Sequence, residues 1–188
     1  MKVVKKVGAY KKGNGESFFI RSARESDMIK ALIKKAGKDL SPDLIIDIWR
    51  KLITAANMHE QPIALFSQYQ EYEYLIRNYY DLNVPLKFFE SSEEVLNALK
   101  NNNAGIAIFA LPPHNKDNWW ELLEDGFYVF SKIPFSNKSK VNLVAVAAKN
   151  PEKSESDITL VHAKSGLKKI DGFYLDHQSG RVIGHFAK

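Results

Sequence analysis

Two cations, a carboxylate and two side-chain amides make up the chemistry on offer in the first third of the chain: Lys11, Arg24, Glu25, Asn57 and Gln61. Lys11 stands just before a Gly13-Asn14-Gly15 loop. Arg24 and Glu25 open one amphipathic segment, and Asn57 and Gln61 lie four apart near the end of another. Residues four apart share a helix face, and in an antiparallel helix pair the start of one helix lies beside the end of the other. Lys11, Arg24, Glu25 and Gln61 then converge on one cavity. Its two cations neutralise a dicarboxylate, Glu25 accepts from a hydroxyl, and Gln61 donates to an uncharged oxygen. The bland use of the same residues is a first helical turn and a solvated face, which Arg24 and Glu25 also suit. Elsewhere there is no Gly-rich phosphate loop, no HExxH and no GxSxG. His59, His114, His162, His177 and His185 show no metal-ligand spacing, so no metal is expected. Asp176-His177 and His185 pair across a hairpin either as ordinary surface neighbours or as a catalytic couple. Trp119-Trp120 reads as core or interface, or as a pocket wall.

These side chains need helices to carry them. Val3, Val4 and Val7 among lysines suit one or two amphipathic turns before the Gly13–Gly15 loop. Met28, Ile29, Leu32, Ile33 and Ala36 predict a helix from Arg24 to Ala36, stopped by Gly37. Ser41 offers an N-cap and Pro42 a first-turn residue whose missing N–H costs nothing. The stripe Leu44, Ile45, Ile48, Trp49, Leu52, Ile53 and Ala56 follows on a helix of about 19 residues, with Pro62 at its exit. Short amphipathic helices leave long apolar stripes unburied in a monomer this small, which predicts a homodimer.

Beyond residue 61 the rhythm changes. A helix is expected over 71–80, a strand over 85–89, and a helix over 92–100 with Ser91 and Glu94 forming a capping box. The apolar run 104–111 reads as an interior strand, ended by Pro112-Pro113. A short helix over 117–123 and strands over 127–133, 142–148, 158–163, 172–176 and 181–186 complete the reading, the last two strands joined through Gln178-Ser179-Gly180. The fold class is α+β: a short helical module, 1–61, then a mixed α/β module, 62–188.

Composition fits a globular chain of 188 residues, 45% of them hydrophobic and none cysteine. No apolar stretch approaches the ~18 residues of a membrane span, and no apolar run follows Lys2, Lys5 and Lys6 as a signal peptide requires. A cytoplasmic protein with no membrane partner is the expectation. The formal charge of +5 is uneven: residues 1–61 hold 13 Lys or Arg against 7 Asp or Glu, and residues 62–188 hold 14 against 15. The positive module attracts an acidic partner. It lacks an aromatic stacking set and a reading-helix pattern, which argues against nucleic acid.

The runs VGAYKK, FIRSARESDMI and IWRKLITAANMHEQ resemble the latter two-thirds of an all-helical (AroQ-type) chorismate mutase, over about residues 3–61. The resemblance implies that Lys11 approaches the ether oxygen and a carboxylate, that Arg24-Glu25 is the family's Arg-Glu pair with the glutamate on the substrate hydroxyl, and that Gln61 binds the ether oxygen. Asn57 takes the place four residues earlier, often a serine. The family's long first helix also supplies two arginines that clamp the carboxylates. Those positions are absent here, with Arg21, Lys5 and Lys6 as stand-ins. PLKFFESSEEVLNAL, GIAIFALPP, DNWWELL and NPEKSESDITLV resemble the second module of some bacterial chorismate mutase proteins, which is similar to the periplasmic-binding-like fold of prephenate dehydratases. The Thr-Arg-Phe motif is missing, which argues against dehydratase activity. The expectation is therefore a chorismate mutase needing no cofactor, with Lys11, Gln61 and Glu25 catalytic and Arg24, Asn57 and Arg21 binding a chorismate-like dicarboxylate. The alternative is a non-catalytic or regulatory protein for an aromatic-pathway metabolite.

Overall fold

A computed structural model describes residues 20–135, 139–150 and 152–188. Lys11, Lys5, Lys6, the turns expected near Val3–Val7 and the Gly13–Gly15 loop lie outside the described residues. The protein is a mixed α/β structure in which an N-terminal helical pair leads into an eight-stranded mixed sheet.

Helix α1, Ser22–Ala36, starts two residues earlier than the apolar spacing indicates and ends at Gly37, whose φ of +60° suits a residue without a Cβ. Helix α2, Pro42–Glu60, has the expected start: the Leu44 N–H donates to Ser41 Oγ at 3.2 Å, and proline occupies the first turn. Its end differs from the sequence reading. Gln61 has left the helix with φ −150° and ψ 126°, because the following Pro62 drives the preceding residue to an extended conformation.

The sheet follows, as β1 Ala64–Ser67, a 3₁₀ turn Gln70–Tyr72, α3 Glu73–Tyr80, β2 Leu86–Phe88, α4 Ser92–Lys100 and β3 Gly105–Ala110. The anticipated short helix after Pro113 is only a 3₁₀ turn, Trp119–Glu121. Strands β4 Tyr128–Ile133, β5 Leu143–Ala147, β6 Asp157–Ala163, β7 Gly166–Asp171 and β8 Arg181–Ala187 complete it. Strand order is β2-β1-β3-β5-β4-β8-β6-β7, with β1 parallel to both β2 and β3 and the β3–β5–β4 pairs antiparallel. The strand expected over 172–176 is replaced by β7, which pairs with β6 as a hairpin. Its Lys168 and Lys169 face solvent at the sheet edge, so it lacks the apolar alternation that marks a strand in sequence. The segment after it is instead held by Thr159, whose Oγ1 donates to the Gly172 carbonyl at 2.6 Å and accepts from the Tyr174 N–H at 3.1 Å.

Every residue of β3 and β5 is buried, as their unbroken apolar runs imply. Trp119 stacks on Phe109 at 4.7 Å between centroids, and its Nε1 donates to the Ala110 carbonyl at 3.0 Å, so it is core. Each large side chain buried in this way contributes about 1.5–3 kcal/mol. The two parts of the sheet meet where β4 runs parallel to β8 at Val129 and Gly184. A Cβ on Gly184 would stand 2.2 Å from the Val129 carbonyl oxygen, and its φ is +145°, so only glycine permits this approach.

The helical pair is fastened to the sheet. Ser22 Oγ donates to the Phe130 carbonyl of β4 at 2.6 Å, and Lys149, just past β5, donates to the Ile20 carbonyl. Further along α1, the Glu155 N–H donates to Asp27 Oδ1 at 3.1 Å and Lys30 Nζ to Ser156 Oγ at 3.2 Å. On the other side, Lys51 of α2 donates to the Arg77 carbonyl at 3.3 Å and pairs with Asp81 at 3.4 Å.

Candidate functional site

The start of α1 lies beside the second half of α2, and one partly buried carboxylate joins them. Glu25, in the first turn of α1, points inward, whereas its neighbour Arg24 and the N-cap residue Arg21 are exposed. Arg50 and Asn57 stand two turns apart on α2 and therefore share a face. Arg50 Nη1 donates to Glu25 Oε2 at 2.9 Å and Asn57 Nδ2 to Glu25 Oε1 at 3.1 Å, so each carboxylate oxygen has one donor. Each oxygen keeps a further lone pair.

Arg50 is 4% exposed. Its Cζ lies 4.0 Å from the centroid of the Tyr79 ring, and Tyr79 Oη shares a 2.7 Å hydrogen bond with Ser131 Oγ of β4. Burial disfavours its charge most, but Tyr79, Glu25 and Tyr80 together outweigh that, and the guanidinium holds its proton more firmly than in water. Burial drives the neighbouring Tyr80 phenol well above its ordinary value. Arg50 Nε, Thr54 Oγ1 and Tyr80 Oη are buried without a hydrogen-bond partner. Arg50 also lines a cavity of about 240 Å³ between α2, α3 and the end of β4, together with Asp47, Leu75, Tyr79 and Phe135.

A second cation reaches the start of α1 from the sheet. Lys149 is buried, pairs with Glu152 at 3.0 Å, and feels both Glu25 and Arg21. Burial pulls its ammonium below the usual lysine value, partly offset by Glu152. Gln61 is half-buried just beyond α2, its backbone N–H donating to the Asn57 carbonyl at 2.8 Å.

Of the residues proposed from sequence, then, Glu25 and Asn57 touch. Arg24 and Arg21 flank them at the helix start, Gln61 follows Asn57 without sharing its helix face, and Lys11 is outside the described residues. Sequence reasoning passed over Arg50 and Lys149. The signal for Arg50 was present: an arginine between Trp49 and the apolar Leu52-Ile53 pair, on the face that carries Asn57.

Other places carry less. His177 Nδ1 lies 2.7 Å from Ser179 Oγ in its own turn, and His185 Nε2 donates to the Tyr174 carbonyl at 2.6 Å. An open groove of about 670 Å³ by the β6–β7 turn is lined by His162, Lys164, Lys168 and Gln178, and by none of the proposed residues. Among the described residues, no group of three His, Cys, Asp or Glu side chains could hold a metal, and no helix is long and apolar enough to cross a membrane.

The sequence pattern of the chorismate mutase type II family matches residues 1–61, a span that includes Lys11, Arg21, Arg24, Glu25, Arg50, Asn57 and Gln61 and ends where the helical pair ends. Residues 62–188 lie outside that match. No curated protein and no solved structure matches the chain.

Proposed function

We propose that the protein binds chorismate where α1 meets α2 and rearranges it to prephenate, as an isomerase of aromatic amino acid biosynthesis. The observation that carries this reading is the 3.1 Å Glu25–Asn57 hydrogen bond, which joins two stretches of the family-matching segment that stand 32 residues apart. In the reaction an ether C–O bond breaks as a C–C bond forms within one molecule. It needs no cofactor, only a pre-folded substrate and favourable electrostatics around the ether oxygen. Lys11 and Gln61 serve that oxygen, Glu25 accepts from the ring hydroxyl beside Asn57, and Arg24 and Arg21 face the carboxylates.

The reading includes a cytoplasmic homodimer, supported by an apolar row on α2. Leu44, Ile48 and Leu52 are 45%, 48% and 54% exposed at helical spacing. The parallel β2-β1-β3 segment supports a likeness of residues 62–188 to periplasmic-binding-like folds.

A second reading, a ligand-binding protein without catalysis, is favoured by one observation: both Glu25 oxygens already have a protein donor. The test is an assay of chorismate disappearance paired with calorimetric titration of chorismate, prephenate and the aromatic amino acids. Consumption of chorismate with prephenate appearing supports the mutase. Saturable binding without consumption supports the second reading, and neither binding nor turnover refutes both.

A further inference from the structure

We propose that Arg50 is a positioning residue for Glu25, and that the sheet braces it through Tyr79. The proposal rests on the chorismate reading of the site and adds to it the residue that aims the hydroxyl-binding carboxylate.

The geometry leaves the guanidinium no freedom. On one side Nη1 grips Glu25 Oε2 at 2.9 Å, and on the other the Tyr79 ring lies 4.0 Å from Cζ. Tyr79 is itself tethered to Ser131 of β4 at 2.7 Å. The chain of contacts runs from sheet to ring to guanidinium to carboxylate, and Asn57 fixes the second oxygen. A carboxylate held at both oxygens cannot swing away, and its remaining lone pairs point in set directions.

A buried ion pair is a poor means of adding stability, because desolvation consumes much of the attraction and an apolar pair of similar volume serves as well or better. Arg50 is also costly in detail, with a buried Nε that finds no acceptor. What the pair supplies that an apolar contact does not is a fixed orientation of a charged acceptor. Arginine is suited to this and lysine less so, since only a planar guanidinium stacks on a ring while donating from its edge.

The arrangement also gives the sheet a part in the chemistry. Tyr79 and Ser131 both lie beyond residue 61, outside the segment that the family pattern covers. The helical pair borrows from α3, itself tethered to the sheet, the ring against which its arginine is set.

The test is a double-mutant cycle read in kcat/KM for chorismate and in chorismate affinity by calorimetry, using the full chain. Arg50→Met is expected to lower kcat/KM at least tenfold when Glu25 is present, and less than twofold in the Glu25→Gln background. Arg50→Lys, which retains the charge and is the safer variant for folding, is expected to fall between. Tyr79→Phe keeps the ring but loses the tether to Ser131 and is expected to lower kcat/KM about three- to fivefold, whereas Tyr79→Leu, which removes ring and tether, approaches Arg50→Met. Circular dichroism and thermal midpoints establish that each variant is folded when assayed. Equal losses from Arg50→Met or Arg50→Lys in both Glu25 backgrounds mean a merely structural residue and overturn the proposal while leaving the mutase reading intact. A wild-type protein that neither binds nor converts chorismate overturns both together.

Discussion

Arg50 and Glu25 face each other at 2.9 Å across the α1–α2 interface, with side chains 5% and 13% exposed. Each offsets part of the cost of enclosing the other's charge. Removing one alone strands a buried ion. We expect Glu25→Ala to destabilise the protein by about 3–5 kcal/mol. Replacing both residues with methionine is expected to cost less than either single change. Urea unfolding decides this through the transition midpoints at unchanged slope. A Glu25→Ala loss under about 1 kcal/mol would place the pair with surface ion pairs instead.

Gln61→Ala tests the chemistry rather than the fold. Its backbone N–H, which closes the end of α2, is unchanged by the substitution, and circular dichroism checks that the variant is folded when assayed. Loss of one preorganised donor to the ether oxygen typically costs ~3 kcal/mol in the transition state, roughly a hundredfold in turnover. Lys11→Ala removes a charge as well and should weaken both binding and rate, with the binding loss shrinking at high salt. The control is Lys35, exposed near the end of α1 and outside the proposed site. Equal rates for wild type, Lys11→Ala and Gln61→Ala would remove these residues from the mechanism.

What could be read ahead of the structure was whatever depends on neighbours in sequence. Ser41 before Pro42, and Ser91 before Glu94, announce helix starts through local hydrogen bonds, and both serines cap as expected. The reciprocal arm of the second cap lands one residue early, on the Glu90 N–H. The all-apolar 104–111 run could only be interior. Arg50 was hidden for the opposite reason. Its partners Glu25 and Tyr79 are remote in sequence, and the one local hint, its place on the face that carries Asn57, does not say that this face turns inward. Strand β7 escaped because its exposure at a sheet edge erased its pattern, and Gln61 was misplaced on the helix because Pro62 was read as an exit rather than as a constraint on its predecessor.

The apolar row on α2 predicts self-association. Leu44, Ile48 and Leu52 are each about half-exposed, which a monomer gains nothing by presenting. Light scattering should give twice the chain mass at micromolar concentration. Ile48→Glu, placing a charge in the middle of the row, should shift the mass toward a monomer while circular dichroism stays unchanged. A wild-type protein of single-chain mass across that range would end the dimer proposal.

His185 sets an acid limit on stability. Its Nε2 donates to the Tyr174 carbonyl at 2.6 Å, which leaves Nδ1 as the unprotonated nitrogen, buried and without a partner. The ring stacks on Phe173 at 4.2 Å. Burial lowers its pKa below the ordinary histidine value of 6.5, against weaker opposing pulls from Tyr174 and Asp157. The unfolded chain therefore binds this proton more readily than the folded one, so stability rises with pH across the interval between the folded value and 6.5. The contribution is complete above the unfolded value and is lost as pH falls through it toward the folded one. We expect the urea midpoint of the wild type to fall between pH 7.5 and pH 5. In His185→Phe, which cannot titrate but loses the bond to Tyr174, the protein should be weaker at neutral pH and its midpoint should fall less over the same interval. Parallel pH dependence in the two proteins would assign the acid sensitivity to other groups.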